Sequence, residues 1–349
     1  MSKEILIIRL SSIGDVIHCT PVASSLKAAW PDCKITWMVG GVSADLLQGN
    51  PYIDEIIIWS REKFEDYLRN FKFREALRMW RDLKKQLKDR QFDAVLDIHG
   101  LFLTGMIAKQ ANTKKRIGMK GTKELNSHFM TQTGEALSKH ITDKYLAVLP
   151  CLGIEAVNHK MSLVVPEEAR KFARDLLQQY AVLPDEKIVV LILGTTWITK
   201  NWPIAFFIET AKLLGKDFRI ILCGGKAEVQ LGKEVETKAG VPVINTIGQT
   251  SLLEMAGIIE QASVVVSGDT GPLHMAGALE VPTVGMFGPT DPATYAPQGE
   301  QHEVLSSTLS CSYCHKRRCP KEGEGTCMES ITPEAVVQKV YEILKRGRA

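Results

Sequence analysis

At 349 residues, with 45% hydrophobic and 24% charged side chains, the chain is longer than one hydrophobic core usually serves and too apolar to be disordered, so two domains are expected. Its 43 Lys and Arg against 40 Asp and Glu lack the strong basic excess of a general nucleic-acid binder, and no aromatic-interleaved basic motif is present. There is no run of about 18 apolar residues to span a membrane, and Met1-Ser2-Lys3-Glu4-Ile5 enters a strand-like run without a signal-peptide pattern, which implies a cytoplasmic location.

The first half alternates Ile- and Val-rich runs with helical spacing. Ile5–Leu10, Lys34–Val39, Glu55–Trp59 and Asp93–Ile98 are strand candidates. Asp15–Ala29 has helical spacing, as do the stripes Phe64, Tyr67, Leu68, Phe71 and Leu77, Trp80, Leu83, Leu87. After a linker near Val164-Val165-Pro166 the pattern restarts, with strands at Lys187–Leu193, Phe218–Cys223, Ser263–Ser267 and Pro282–Phe287 and helices between them. A last helix over 333–347 begins at Pro333, a residue suited to a first turn. Buried strands alternating with helices predict parallel sheets covered on both faces. The expected organisation is α/β, a doubly wound domain over 1–165 and a second over 166–332, facing each other across a cleft. Ligands of such sheets sit at the C-terminal ends of the strands.

Charge is uneven along the chain. Residues 1–165 hold 24 Lys and Arg against 18 Asp and Glu, and residues 166–349 hold 19 against 22. Residues 61–90 carry eleven basic and six acidic side chains, which suit an anionic partner or simply a solvated face. Residues 109–123 carry Lys109, Lys114, Lys115, Arg116, Lys120 and Lys123 with no acid, a sharper signal for an anionic partner.

Four strand-end loops can carry chemistry. In Leu10-Ser11-Ser12-Ile13-Gly14-Asp15, Asp15 suits a general base and equally a first-turn helix acid. His18, one turn on, reads as packing. In Gly194-Thr195-Thr196-Trp197-Ile198-Thr199-Lys200 the glycine admits close approach, the threonines donate hydroxyls and Lys200 brings a mobile charge. Gly224-Gly225-Lys226-Ala227-Glu228 offers a backbone surface and an acid for ribose hydroxyls, or an ordinary helix-start acid. In Ser267-Gly268-Asp269-Thr270-Gly271-Pro272-Leu273-His274 a strand runs through glycines into a helix start, where free N–H groups bind phosphate. Asp269 and Thr270 also suit N-capping, but His274 is not explained by a cap. Pro272 removes one donor from that helix start. Neither a G-x-G-x-x-G nor a G-x-x-x-x-G-K-[ST] motif is present, which argues against a dehydrogenase or a P-loop NTPase.

Together these loops resemble glycosyltransferase family 9, the ADP-heptose–lipopolysaccharide heptosyltransferases, over nearly the whole chain. The pieces that carry the resemblance are Ser11-Ser12-Ile13-Gly14-Asp15-Val16 and Asp269-Thr270-Gly271 with His274. Asp97-Ile98-His99-Gly100-Leu101 and Arg116-Ile117-Gly118 also look like family loops. The resemblance implies a GT-B fold of two facing Rossmann-like domains, with helix 333–347 crossing back onto the first. It implies an inverting transfer of heptose from ADP-L-glycero-D-manno-heptose to the inner core of lipopolysaccharide, with no catalytic metal and no cofactor besides the donor substrate. Asp15 would be the base and Lys200 would offset diphosphate charge. Thr195, Thr196, Gly224, Gly225, Glu228, Asp269, Thr270, Gly271 and His274 would hold the donor. Ser12, Gly14, His99, Lys114, Lys115 and Arg116 would meet the acidic glycolipid acceptor. Peripheral contact with the inner membrane through residues 61–90 is a further expectation.

Other classes are an epimerase or hydrolase acting on sugar nucleotides, and a non-catalytic nucleotide-sugar-binding protein. The basic run at 109–123 and Asp15 speak against the epimerase or hydrolase, while a non-catalytic binder would hold the donor without turnover and leave Asp15 dispensable. Of the eight cysteines, Cys19, Cys33, Cys151 and Cys223 read as buried hydrophobes. Cys311, Cys314, Cys319 and Cys327 are spaced C-x2-C-x4-C-x7-C with Gly323–Gly325 intervening, unlike the usual paired zinc pattern, and free or redox-active thiols are expected ahead of a structural metal.

Overall fold

The apolar runs do form strands. A computed structural model describes residues 2–122, 124–156, 158–320 and 326–346, and the chain divides into two compact units, Met1–Val164 and Val165–Ala349. Lys123, the Gly323–Gly325 stretch and residue 347 of the last helix lie outside the described residues.

The first unit holds β1 (Glu4–Ile8), β2 (Lys34–Val39), β3 (Glu55–Ile58), β4 (Ala94–Asp97), β5 (Arg116–Met119) and β6 (Gln132–Gly134), all parallel, in the order β3-β2-β1-β4-β5-β6. Ile5 to Ile8 are buried, as a strand covered by helices on both faces requires. Two details depart from expectation. The predicted helix Asp15–Ala29 is two, Ile13–His18 and Thr20–Ala29, because Pro21 starts a new first turn. Arg116-Ile117-Gly118, expected as a loop, is the body of β5.

The second unit repeats the plan with β7 (Ile188–Ile192), β8 (Arg219–Cys223), β9 (Val243–Asn245), β10 (Val264–Gly268), β11 (Thr283–Phe287) and β12 (His302–Ser306), in the order β12-β11-β10-β7-β8-β9. In each sheet the chain winds outward in both directions from one neighbouring pair, β1 and β4 in the first and β7 and β10 in the second. Connections leave that pair toward opposite faces, so a crevice opens beyond the strands' C-terminal ends. The loops after β1, β4, β7 and β10 are therefore the ones positioned to hold ligands.

The last helix, Pro333–Arg346, belongs to the second unit. Its apolar stripe, Val336, Val340, Ile343 and Leu344, is built into the second unit's core with Trp202, Phe207 and Leu214, and it packs along the helix Ile204–Leu214. An amphipathic helix takes the nearest apolar groove that accepts its stripe, and here that groove belongs to its own unit.

Val340→Ala should therefore cost about 2 kcal/mol. Urea unfolding followed by probes in each unit would show the second unit's midpoint falling with the first unchanged. Equal losses in both would contradict this packing.

Candidate active site

In the first unit the chain leaves β1 through Arg9, which is 7% exposed. Its guanidinium donates to the Ile98 carbonyl at 2.8 Å, tying the end of β1 to the end of β4. The same group pairs with Asp15 at 2.8 Å. Asp15 lies in the first turn of Ile13–His18, where its second oxygen accepts the Tyr145 hydroxyl at 2.6 Å, and the Ser12 hydroxyl donates at 2.9 Å. Tyr145 comes from the helix Ile141–Leu146, and the Arg9 guanidinium rests 4.8 Å from its ring centre.

Burial pushes the Asp15 carboxyl up, but the Arg9 charge and the hydrogen bonds from Tyr145 and Ser12 outweigh it and hold Asp15 well below the usual carboxylate range. Burial likewise pushes the Tyr145 phenol well above its ordinary value, with Asp15 adding to it against Arg9. The Asp15 side chain still keeps 29% of its surface exposed, so an ionised oxygen is reachable from solvent.

Asp97, the last residue of β4, is fully buried and organises the loop that follows. It accepts the His99 and Gly100 N–H groups at 3.1 Å and the Asn126 amide at 2.7 Å. Burial raises its pKa against these bonds. His99 stands 3.4 Å from the Arg61 guanidinium, and burial with the Arg9 and Arg61 charges lowers it to about 3, which keeps the ring neutral. Its Nδ1 is buried without a partner.

Lys114, Lys115 and Arg116 do not join this group. Arg116 opens β5, paired with Val95, while the Asp15 and His99 loops lie past the far ends of β1 and β4. At about 3.3 Å per residue the basic run starts two or more residues short of that end. The Arg116 guanidinium is used within its own unit, on the Phe129 and Thr113 carbonyls. Ser12 and Gly14 are at the correct end, Gly14 buried in the helix start.

In the second unit three of the expected loops converge. Lys200, in the loop after β7, donates to the Asp269 carboxylate at 2.6 Å and to its carbonyl at 3.3 Å. Asp269 follows β10 and also meets His274 at 3.3 Å. Burial pushes the Asp269 carboxyl up, but the hydrogen bond and charge of His274 and the charge of Lys200 hold it well below the usual range. Asp269 therefore does not cap the helix Gly271–Ala278, and Thr270, which occupies the cap position, makes no side-chain cap bond. The helix start has no side-chain cap, but Pro272 has no N–H and the Leu273 N–H bonds the Thr270 carbonyl at 3.0 Å, so the backbone donor it offers beside a cation is that of Gly271, an arrangement suited to phosphate.

Thr195 spends its hydroxyl on the Asn201 side chain at 2.9 Å and the Trp197 carbonyl at 2.7 Å, fixing the loop around Lys200, while Thr196 is exposed. Lys200 lies 4.5 Å from the Trp197 ring centre. Gly194 has φ 81°, and any side chain there would run into Glu228. Glu228 accepts the Gly225 N–H at 2.8 Å, which leaves its other oxygen for a ligand, and Gly224 is buried beside it. The four C-terminal cysteines are free, and among the described residues no three His, Cys, Asp or Glu gather to hold a metal.

Arg9 and Tyr145 were missed from sequence. Arg9 had a signal, a charged residue closing an apolar strand run directly before the Ser-Ser-Ile-Gly-Asp segment. Tyr145 had none, since it lies 130 residues from Asp15.

Chemically, the first unit presents an accessible carboxylate that stays ionised, and the second presents a cation beside an uncapped helix start. Comparison with known proteins agrees with the resemblance carried by the motifs. The model of Glycosyltransferase family 9 (heptosyltransferase) matches residues 80–324. Lipopolysaccharide heptosyltransferase 1 of Pseudomonas aeruginosa is 25% identical, covering 98% of each chain. The crystal structure of a family 9 glycosyl transferase from Veillonella parvula superposes with a TM-score of 0.83 at 23% identity, covering 99% of this chain and 97% of that one. The E. coli heptosyltransferase WaaC with ADP-2-deoxy-2-fluoro heptose gives 0.71 at 24% identity, covering 97% and 99%. The two Rossmann-like units are those of the GT-B heptosyltransferase structures.

Lys200→Met would leave Asp269 buried without its ammonium. The expected cost is about 3 kcal/mol at neutral pH. Because the folded Asp269 pKa is depressed, the pair's contribution is full above the unfolded value of about 4 and fades as pH falls below it. Urea titrations at neutral and acid pH should show the variant converging on wild type in acid. A pH-independent difference would contradict the ion-pair account.

Proposed function

We propose that this chain, which belongs to glycosyltransferase family 9, transfers heptose from ADP-L-glycero-D-manno-heptose to a hydroxyl of the lipopolysaccharide inner core, with inversion at the anomeric carbon. The donor is favoured because a solved relative holds an ADP-heptose analogue, and the acceptor because the full-length relative is a lipopolysaccharide heptosyltransferase. The observation that carries a catalytic role is Asp15, an accessible carboxylate that its three donors keep ionised at the end of β1.

The acceptor oxygen attacks the anomeric carbon as the bond to the diphosphate oxygen breaks. ADP leaves with the electron pair, and the acceptor proton passes to Asp15. A carboxylate held this far down is a weak base toward a neutral hydroxyl. It suffices once carbon–oxygen bond formation has advanced, because the oxygen attacking an oxocarbenium-like centre is then strongly acidic. Arg9 and Tyr145 fix the carboxylate's orientation. Tyr145 stays protonated, as its raised pKa requires, and serves as a donor throughout.

On the donor side, the Lys200 ammonium has three N–H groups. Two are held by Asp269, and the third is left for the diphosphate. Asp269, itself anionic, sets the place of Lys200 and accepts from a sugar hydroxyl, and does not touch phosphate. Thr195, Thr196, Thr270, Gly271, Gly224 and Gly225 supply the polar walls of the nucleotide site, Glu228 takes ribose hydroxyls, and His274 holds Asp269. On the acceptor side the sheet geometry favours Ser12, Gly14 and His99, with Arg61 beside His99, over the basic run at 114–116.

Asp15→Asn should lower kcat for acceptor-dependent ADP release by about 100-fold or more, with donor affinity measured by calorimetry unchanged. Acceptor-independent ADP release by the wild type would favour a hydrolase instead. The pH profile tests the base separately. Because the Asp15 pKa is depressed, the carboxylate stays unprotonated through mild acid, and no acidic limb from this group should appear above about pH 4. Tyr145→Phe removes one donor and should move the limb upward in kcat/KM. A limb that stays in place would show that another group is the base.

A further inference from the structure

Asp15 sits on a helix too short to hold itself in place. Ile13–His18 has six residues, and the chain starts a new helix at Thr20 directly after Cys19. So short a helix has no stability of its own, and its position comes from what it packs against. One neighbour is the helix Ile141–Leu146, which supplies Tyr145.

Two side-chain bridges join this pair of helices. The first is the bond from the Tyr145 hydroxyl to Asp15 at 2.6 Å. The second joins His18 Nδ1 to the Thr142 hydroxyl at 3.1 Å. Asp15 and His18 are three residues apart on one helix, as are Thr142 and Tyr145 on the other. That spacing puts each pair on a single face. Asp15 meets the later residue of the partner helix and His18 the earlier one, so the two helices run antiparallel. The bridges are rungs of one ladder, about 4.5 Å apart along the helix axis. His140 extends it from the N-cap of Ile141–Leu146. Its ring accepts the Thr142 N–H at 3.3 Å and stands edge-on to His18, with ring centres 5.7 Å apart.

Packing accounts for the volume of His18 but not for its polarity. His18 is 2% exposed and Thr142 1%, so neither is a surface group. A leucine would fill the same place with no ring nitrogen to desolvate, and an imidazole taken out of water costs stability unless it is bonded. What the histidine adds is the second rung. A single rung is a pivot, about which the Tyr145 helix can swing and carry its hydroxyl off the carboxylate. Two rungs at fixed spacing set both the rotation and the slide of one helix on the other.

We propose that His18 is a positioning residue for the transfer reaction, acting through Thr142 to hold the Tyr145 hydroxyl on the Asp15 carboxylate. The inference rests on Asp15 as the base and adds to it the device that aims it. A reacting group displaced by about 1 Å can lose on the order of 100-fold in rate, so a buried rung with no access to substrate still bears on turnover.

The test is the kinetics of acceptor-dependent ADP release by the whole chain, with donor affinity by calorimetry and Tm measured alongside. His18→Leu keeps the apolar volume and removes the rung. It should lower kcat about tenfold with donor affinity unchanged. Thr142→Val removes the rung from the other side and should do the same. His18→Asn, whose amide falls near the place of Nδ1, and Thr142→Ser should each keep most of the wild-type kcat. A double-mutant cycle with Tyr145→Phe then separates positioning from general loss of stability. Once the phenol is gone, His18→Leu should lower kcat by less than about twofold further. An equal loss in both backgrounds, an unchanged kcat in His18→Leu and Thr142→Val, or losses as large in the Asn and Ser variants would each overturn the inference. Asp15→Asn distinguishes this failure from that of the reading beneath it. If Asp15→Asn lowers kcat while the rung variants do not, the positioning role alone falls. If Asp15→Asn leaves kcat intact, the base assignment fails and the inference falls with it.

Discussion

A parallel sheet that winds outward in both directions from one pair of strands must leave an uncovered notch at the C-terminal ends of that pair, and the ion-paired groups of both candidate sites are arranged around that constraint. The helices that follow the two central strands depart to opposite faces, so the loops between strand and helix have no neighbour to bury them. In the first unit these are the Arg9–Asp15 segment after β1 and the Ile98–Leu101 segment after β4. In the second they are the loops after β7 and β10 that carry Lys200 and Asp269. A charged side chain can reside at such a notch with its backbone held by the sheet and its functional atoms open to a ligand.

Each unit solves the cost of its charge in the same way. Asp15 pairs with Arg9 and Asp269 with Lys200, and in both cases hydrogen bonds from a further side chain, Tyr145 or His274, complete the shell. Buried pairs of this kind add little net stability over apolar packing, so their value lies in position. Each fixes an anion against a cation at the notch, at 2.8 Å in the first unit and 2.6 Å in the second. The two differ in access. Asp15 keeps part of its surface open, whereas Asp269 is 5% exposed and leaves Lys200 as the group able to turn toward a ligand. Carboxylates alike in charge are thereby suited to different work.

Much of this was legible in the sequence, and the parts that were not share a cause. Long buried strands such as Ile188–Ile192 and Val264–Gly268 announce themselves as apolar runs. β6, β9 and β12 do not, because they are short or half-exposed edge strands whose identity comes from pairing with a neighbour. Asp15, Lys200 and His274 stood out because each sits in a glycine-bearing or strand-to-helix loop. What Asp269 does was hidden, since a helix-cap acid and an ion-paired acid look alike until Lys200, 69 residues away, is seen against it. The basic run at 114–116 shows the limit of charge counting. It reports sign, and only the register of β4 on β5 reports which end of the sheet holds that charge. The last helix was recognisable from its stripe, but a stripe does not say which groove it fills.

The proposed transfer of heptose to an inner-core acceptor is tested most directly by mass spectrometry of a Kdo-bearing lipid A acceptor after incubation of the whole protein with ADP-heptose. The account predicts that the acceptor gains the mass of one heptose unit as ADP appears in equal amount. An acceptor of unchanged mass beside free heptose and ADP, or no consumption of ADP-heptose with any inner-core acceptor, would contradict it.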